Sequence, residues 1–258
     1  VLKQVFSGRI GAVMEDAALF FARISTCSDF CWEVSPTLPS VADALERSNS
    51  KSITVHILTG VANIAVASSY SNYGLITHFI FENKRLLYLI QGQDEDVVLL
   101  ACKALFKIFK RMAQRRLLPT DELINSGVIE VLFSSLSKRG GSNPQFTTYI
   151  FGCLTSIYKV GLMHRDSLPY YGALESADAG NHVLNALKTH KDDAEAVTSA
   201  LGYMYVISNQ GCKSSLGFFV SFVSAGGIKT LLDLLDEPNK KNIFESTSTV
   251  VRRLIKGS

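Results

Sequence analysis

The five residues Ala104-Leu105-Phe106-Lys107-Ile108 show the pattern that decides the fold of the chain. In this phrase a small residue precedes an apolar residue, two variable residues and a second apolar residue. The two apolar positions lie three residues apart, which places them on one face of a helix. Copies of the phrase begin at Ala18, Gly60, Ala104, Cys153, Ala200 and, in its weakest form, Val250. Their spacings are 42, 44, 49, 47 and 50 residues, which indicates a helical repeat.

Short corners rich in small residues separate the copies. The clearest are Asn125-Ser126-Gly127-Val128-Ile129 and Ser224-Ala225-Gly226-Gly227-Ile228. Glycine suits a tight corner between helices because it adopts a positive φ without strain. No stretch keeps the two-residue alternation of a strand, so the sequence predicts an all-α fold. Prolines are expected where helices begin, at Pro39, Pro119, Pro144, Pro169 and Pro238.

Composition limits the class of protein. Of the 258 residues, 47% are hydrophobic and 19% are charged, which excludes intrinsic disorder and allows a sizeable core. The formal net charge of +3 is too small to indicate nucleic acid binding by bulk charge. Five cysteines are an odd number and do not suggest the disulfide framework of a secreted protein. We therefore expect reduced thiols and a cytoplasmic protein, with a nuclear location left open.

Two further expectations concern the ends of the chain and membranes. The chain begins with Val1 and has no capping segment before its first helical stretch, so we expect a fragment of a longer protein. The stretch 52–81 carries no Asp, Glu, Lys or Arg, but His56 and Thr59 interrupt its apolar part. That part is also shorter than the roughly 20 residues that cross a bilayer. We predict a buried helix followed by a turn, and no membrane span.

The repeated phrase and the two corners resemble those of the armadillo family, whose unit is three helices in about 40 residues. The resemblance implies a right-handed superhelical α-solenoid in which the third helices line a concave groove. HEAT-like repeats, with two helices per unit, are the alternative for each repeat. Residues 1–258 are interpreted as a single domain of about five repeats after a partial first repeat. The implied function is a non-enzymatic scaffold that binds a protein or peptide along the groove.

The resemblance also suggests groove residues. Armadillo grooves carry an Asn at the fourth position of the phrase, which holds the backbone of an extended peptide, and often a Trp one turn earlier. Only Asn63 matches, and no copy has the Trp, which argues against recognition of nuclear localisation signals. The alternative for Asn63 is a surface polar residue without a ligand. The residues predicted to contact a partner are Asn63, Lys103, Lys107, Arg111, Ser156 and Tyr203.

A cluster of cations follows the central copy of the phrase. It comprises Lys103, Lys107, Lys110, Arg111, Arg115 and Arg116, with no acid between them. Helical spacing puts Lys103 and Lys107 opposite an apolar stripe that includes Ala104 and Ile108. A row of cations in a groove would attract an acidic or phosphorylated peptide. The alternative is a solvated helix end, where basic residues favour the macrodipole. Nucleic acid is disfavoured because exposed aromatics do not alternate with these cations.

No catalytic motif is found. Phosphate-binding loops, metalloprotease and serine-hydrolase motifs, and paired Cys-x-x-Cys sequences are all absent. Cys27 and Cys31 could share a helix face, but two thiols alone make a poor metal site. We therefore predict no enzyme, no cofactor, no metal and no small-molecule substrate.

Two segments depart from a regular solenoid. The first is 163–180, with the adjacent tyrosines Tyr170 and Tyr171, and the second is 217–222, which contains three phenylalanines. Ordinary packing is one interpretation of each, and contact with a partner is the other, because large exposed apolar groups mark interaction sites. The alternative functions are therefore a dimerisation or assembly platform that uses an apolar flank, with a homo-oligomer, and a regulatory subunit for a GTPase or a chaperone.

Overall fold

The computed structural model describes residues 2–7, 11–27, 30, 33, 35–67, 85–115, 123, 125–161, 172, 174, 177–208, 216–236 and 241–257. Every extended regular element within these residues is a helix, which confirms the all-α prediction for the part of the chain described. The helices form two compact units, Val1–Ser126 and Gly127–Ser258. The arrangement of 1–258 as a single domain of about five repeats stays a prediction.

The first unit consists of two layers of helices. Its members are α1 (Leu2–Ser7), α2 (Gly11–Ile24), α3 (Leu38–Arg47), α4 (Lys51–Ala67), α5 (Arg85–Ile90) and α6 (Glu95–Gln114). Helices α2, α4 and α6 carry the repeated phrase and lie side by side with α4 in the middle. The other layer consists of α1, α3 and α5. Within it, α3 contacts both α1 and α5. Each phrase-bearing helix therefore packs on its neighbours in the adjacent repeats, as a stacked repeat requires.

The second unit repeats this arrangement. Its helices are α7 (Val128–Arg139), α8 (Pro144–Gly161), α9 (Ala177–Thr189), α10 (Ala194–Ser208), α11 (Leu216–Ser224), α12 (Gly227–Leu235) and α13 (Lys241–Gly257). The phrase-bearing helices α8, α10 and α13 lie side by side with α10 in the middle. Helix α9 contacts α7 and α12, and the short helix α11 packs against α9. The last repeat, α11 to α13, thus has the three helices of an armadillo unit rather than two.

Local sequence explains where several helices begin. Gly127 and Gly226 precede α7 and α12 with φ of 72° and 89°, so both predicted corners use the left-handed region that favours glycine. Asp94 precedes α6, and its carboxylate accepts hydrogen bonds from the backbone N–H groups of Asp96 and Val97. Pro39 and Pro144 lie in the first turns of α3 and α8, as predicted. Pro119, Pro169 and Pro238 lie outside the described residues.

An aromatic chain forms part of the core of the second unit. The ring of Tyr203 on α10 lies 5.7 Å from that of Phe151 on α8 and 6.4 Å from that of Phe218 on α11. Phe218 stacks in turn on Phe222 at 6.4 Å. All four side chains are buried. Because they come from three successive repeats, they join those repeats by apolar contact.

Candidate functional site

The predicted groove residue Asn63 lies on the outer side of α4. Its side chain is half-buried, and its Nδ2 donates a hydrogen bond to Ser25 Oγ, just after the end of α2, at 3.4 Å. Ser25 Oγ itself donates to the carbonyl oxygen of Ala22 at 2.8 Å. At 3.4 Å the bond from Asn63 is long and therefore weak. Its amide can exchange this bond for a ligand, but it does not project freely into solvent.

The cations of α6 face away from the core, as helical spacing predicted. Lys103 is exposed and Lys107 is half-buried, whereas Ala104, Leu105 and Ile108 are buried between or beside them. Among the described residues, neither lysine has a carboxylate at ion-pair distance, because the ion pairs of this unit join Lys51 to Asp94 and Asp96 at the other end of α6. Within the described part of the first unit, the two lysines therefore form a positive surface without an opposing carboxylate.

One aromatic residue lies among these cations, although it is not exposed. Phe106 is half-buried on the same side of α6, and the Lys110 ammonium lies 5.5 Å from the centre of its ring. Arg111 is half-buried, and its Nη1 lies 3.5 Å from Gln114 Oε1. Leu100, one turn before Ala104, is half-buried. Arg116 lies outside the described residues.

Ser156 and Tyr203 do not face an open groove, so that part of the prediction is wrong. Tyr203 is fully buried, and its hydroxyl donates a hydrogen bond to the carbonyl oxygen of Leu174. Ser156 is buried on α8, and its hydroxyl donates to the carbonyl oxygen of Gly152 within the same helix at 2.8 Å. Both side chains are satisfied core residues, so a partner could contact neither without unpacking the repeat.

The error is a shift of one residue in helical phase. In the second unit the third position of the phrase faces outward, at Thr155 and Gly202, whereas Ser156 and Tyr203 at the fourth position point inward. The copies of the first unit differ among themselves: on α4 the fourth position, Asn63, is the more exposed one, whereas on α2 the fourth position, Phe21, is buried and the third, Phe20, is exposed. One residue corresponds to about 100° around a helix, which is enough to turn a surface position into a core position.

A cleft between α10 and α13 marks residues that the sequence did not single out. It has a volume of about 270 Å³, and its lining includes Thr198, Gly202, Tyr205 and Thr249. A Cβ added at Gly202 would meet no atom within 4 Å, so this glycine leaves open space at the cleft. Tyr205 follows one turn later with 39% of its side chain exposed. A glycine inside a helix followed by a tyrosine three residues on is the signal that could have identified the cleft.

The cleft and its surroundings carry negative charge, unlike α6. Glu245 lines the cleft, and its Oε1 lies 3.9 Å from Lys241 Nζ in an exposed pair. Glu195 is exposed on α10 in an adjoining depression. Burial raises the pKa of Tyr149 on α8, and the nearby negative charge of Glu195 raises it further. The cleft itself therefore offers a carboxylate, where α6 offers cations.

The remaining predicted features have mixed outcomes. In the segment 217–222, Phe218 and Phe222 are buried, so ordinary packing accounts for that face of α11, whereas Val220 is exposed and contact of its face with a partner stays a prediction. The tyrosines 170 and 171, and the second thiol of the Cys27–Cys31 pair, lie outside the described residues. Within the described ranges, no three His, Cys, Asp or Glu side chains are grouped so as to hold a metal ion.

A helix that spans a bilayer needs roughly 20 predominantly apolar residues. No single helix in the described part of the chain is long and apolar enough. Helices α11 and α12 reach the required length and composition only together, and a bend of 73° separates them.

Solved structures of similar fold are known, although no family model matches the chain and no curated protein resembles its sequence significantly. An engineered protein superposes with a TM-score of 0.75 at 17% identity, over 100% of this chain and 96% of its own. A designed armadillo repeat protein in complex with the peptide (KR)4 gives 0.68 at 14% identity, over 98% and 97%. A structure from work on the interaction between cadherin and beta-catenin gives 0.71 at 14% identity, over 98% of this chain and 44% of its own. The chain therefore has the fold of armadillo repeat proteins.

Proposed function

We propose that the chain is a non-enzymatic scaffold that binds an acidic peptide segment across α4 and α6. The observation that carries the proposal is the pair Lys103 and Lys107, which face outward without a carboxylate partner among the described residues. The fold adds support, because a designed armadillo protein similar to this chain binds a peptide. That peptide, (KR)4, is basic, whereas the lysines on α6 favour a ligand of the opposite charge.

The surface offers three kinds of contact to such a segment. The lysine ammonium groups can form charge-assisted hydrogen bonds with carboxylates or phosphates of the ligand. The half-buried Arg111 offers a planar donor at the end of the same row. Asn63, on the neighbouring helix, can donate to a backbone carbonyl of an extended chain after releasing Ser25. Four residues on two packed helices are thus able to hold the side chains and the backbone of one segment.

We also propose an intracellular location. The support is the sequence, whose five cysteines are an odd number spread along the chain and do not suggest the disulfide framework of a secreted protein.

Reversing the charges of Lys103 and Lys107 tests the proposal. The double variant Lys103→Glu/Lys107→Glu should bind a fluorescently labelled oligoglutamate peptide at least about tenfold more weakly, because two attractive contacts become repulsive. The thermal midpoint should change little, since neither side chain is in the core. Fluorescence anisotropy at low and moderate salt gives the affinity, and the loss should be largest at low salt.

The matched control is Lys138→Glu/Lys229→Glu, which makes the same change in net charge at exposed positions of the second unit. This control should keep most of the affinity. Equal weakening in both variants would mean that only net charge matters, and unchanged binding in a folded Lys103→Glu/Lys107→Glu protein would place the acidic ligand elsewhere. Either result contradicts the proposal.

A second candidate site is the cleft between α10 and α13, where Glu245, Tyr205 and the open space beside Gly202 favour a basic segment.

The substitution Gly202→Leu would fill this cleft. Binding of a labelled (Lys-Arg) repeat peptide should then weaken about fivefold or more, because losing the contacts in the cleft costs about 1 kcal/mol of binding free energy. Gly202→Ala, which adds a single methyl group, is the control and should bind nearly as well as the wild type. Isothermal titration calorimetry distinguishes the two, and equal affinity for all three proteins would remove the cleft from consideration.

A further inference from the structure

A cavity of about 540 Å³ lies between α9 and α12, and three lysines belong to its lining. Lys188 lies in the last turn of α9, and Lys191 lies in the turn that follows this helix. Lys229 lies in the first turn of α12. All three side chains are exposed. The cavity thus brings together cations from two consecutive repeats.

Helix stability explains only part of this arrangement. A cation near the C-terminus of a helix is favourable, which accounts for Lys188. Lys229 lies at the opposite end of its helix, where the macrodipole favours an acid instead, and α12 has no acidic residue in its first turn. Gly226, which precedes α12, has no side chain that could supply negative charge there. An anion in the cavity would compensate the positive charge that α12 itself leaves.

The ammonium groups of these lysines are available to a ligand. Among the described residues, none of the three has a carboxylate at ion-pair distance. Asp233 lines the same cavity one turn after Lys229, yet the two form no ion pair in the described part of the chain. Lys188 Nζ donates to the carbonyl oxygen of Ala225 at 3.5 Å, which is a long and therefore weak bond.

Other acidic residues nearby are not among those that line the cavity. Asp192 and Asp193 follow α9, and Asp193 is directed toward α10, where its Oδ1 accepts a hydrogen bond from the backbone N–H of Ala196 at 2.8 Å. Asp236 comes seven residues after Lys229, which is about 10 Å along the axis of α12. Three lysines and one aspartate therefore give the lining a net charge of +2.

Buried residues form another part of the lining. Leu187 and Leu234 are buried and supply apolar contact, and Thr230 is only 8% exposed. The hydroxyl of Thr230 donates to the carbonyl oxygen of Gly226 at 3.4 Å, again a long bond that a ligand can replace. The volume of the cavity lies in the range of sites that bind small organic molecules, so there is room for more than a single inorganic anion.

We propose that this cavity binds the phosphate monoester group of a small hydroxylated molecule, either free or as the headgroup of a lipid. A phosphate monoester carries a charge of about −1.5 to −2 at pH 7, which the net charge of +2 in the lining matches. The lysine ammonium groups donate charge-assisted hydrogen bonds to the phosphate oxygens. Asp233 accepts a hydrogen bond from a hydroxyl group of the ligand, and the carbon atoms of the ligand contact Leu187 and Leu234.

Glycerol 3-phosphate is the probe, because it joins a phosphate monoester to a small hydroxylated body. In an NMR titration of the ¹⁵N-labelled chain, the amide signals of Gly226 and Lys229 should shift with a Kd of about 5 mM or tighter. The double variant Lys188→Gln/Lys229→Gln should bind at least about tenfold more weakly, since two of the three cationic donors are lost. The matched control is Lys138→Gln/Lys159→Gln, which makes the same change in net charge at exposed positions of the same unit and should bind as the wild type does.

The variant Asp233→Asn provides a test of the opposite sign. It removes the negative charge from the lining, so the affinity for inorganic phosphate should rise about threefold. The same NMR titration measures this change. An affinity that falls or stays equal in Asp233→Asn would show that the anion does not bind beside this carboxylate.

The remaining outcomes are equally decisive. A Kd for glycerol 3-phosphate weaker than about 5 mM overturns the proposal, and so do amide shifts confined to other parts of the chain or equal weakening in the two double variants. Vesicles of phosphatidylcholine with phosphatidic acid identify the source of the monoester. Cosedimentation that is lost in Lys188→Gln/Lys229→Gln means a lipid headgroup, and binding of glycerol 3-phosphate without cosedimentation means a free molecule.

The phosphate site and the peptide surface on α6 are tested independently, because they lie in different units. The variant Lys103→Glu/Lys107→Glu should bind glycerol 3-phosphate as the wild type does. The variant Lys188→Gln/Lys229→Gln should likewise keep most of its affinity for the oligoglutamate peptide. Failure of one proposal therefore leaves the other standing.

Discussion

The substitution Phe218→Ala is expected to lower the free energy of unfolding of the second unit by about 3–5 kcal/mol, the usual cost of removing a buried phenylalanine. Phe218 is fully buried, and its ring contacts Tyr203 edge-on at 6.4 Å and Phe222 face-on at 6.4 Å. The alanine would leave a cavity between α10 and α11. Relaxation cannot fill this cavity easily, because the close contact of Gly180 with the α11 backbone already fixes the position of α11.

The neighbouring Phe219→Ala is the matched control. Phe219 is only half-buried, so its removal should cost less than half as much as that of Phe218. Urea denaturation followed by circular dichroism gives both values, and hydrogen exchange shows whether α11 to α13 open first in Phe218→Ala. Equal losses of stability for the two variants would show that Phe218 is not the anchor between these repeats.

The sequence predicted the helical class and the corners well because both depend on local chemistry. A spacing of three and four residues between apolar positions defines a helix face wherever it occurs, and Gly127 and Gly226 adopt the positive φ that a tight corner requires. The cations of α6 were also placed on the correct side, because Ala104 and Ile108 in the same helix fix the phase. These conclusions used only residues within one helix or one turn.

The positions that were wrong depend on contacts between repeats. Tyr203 was predicted to face the groove because it occupies the same fourth position of the phrase as Asn63. That inference assumes that every phrase-bearing helix is rotated by the same angle relative to its neighbours. The repeats differ in length by up to eight residues, and sequence alone does not show whether a loop or a helix absorbs the difference. The structure shows a shift of one residue, which places Tyr203 against Phe151 and Phe218.

A similar limit applies to a helix that carries apolar residues on every face. Helix α11 has apolar residues all round, so the sequence could not tell the buried Phe218 from the exposed Val220. Gly202 was treated as a variable position because a glycine contributes no side chain to a pattern. Its importance becomes visible only when the space around it is known.

Two substitutions of glycine by alanine are expected to change stability in opposite directions. Gly180→Ala should lower the free energy of unfolding by about 1–3 kcal/mol, the range typical of overpacking. The new Cβ would lie 2.6 Å from the carbonyl oxygen of Phe218 and 3.3 Å from the backbone nitrogen of Phe222. Both are backbone atoms, so no rotation of a side chain relieves the clash, and α9 and α11 must move apart.

Gly202→Ala should instead raise the free energy of unfolding by about 0.5–1 kcal/mol, because alanine loses less conformational entropy than glycine in a helix. Its Cβ meets no atom within 4 Å. Both glycines lie within helices of the second unit, so the intrinsic preference for alanine is similar and the difference between the variants measures the close approach of α11 to α9. Chemical denaturation of the two variants with the wild type gives both values. A stabilised Gly180→Ala protein would contradict the close approach of the α11 backbone to Gly180.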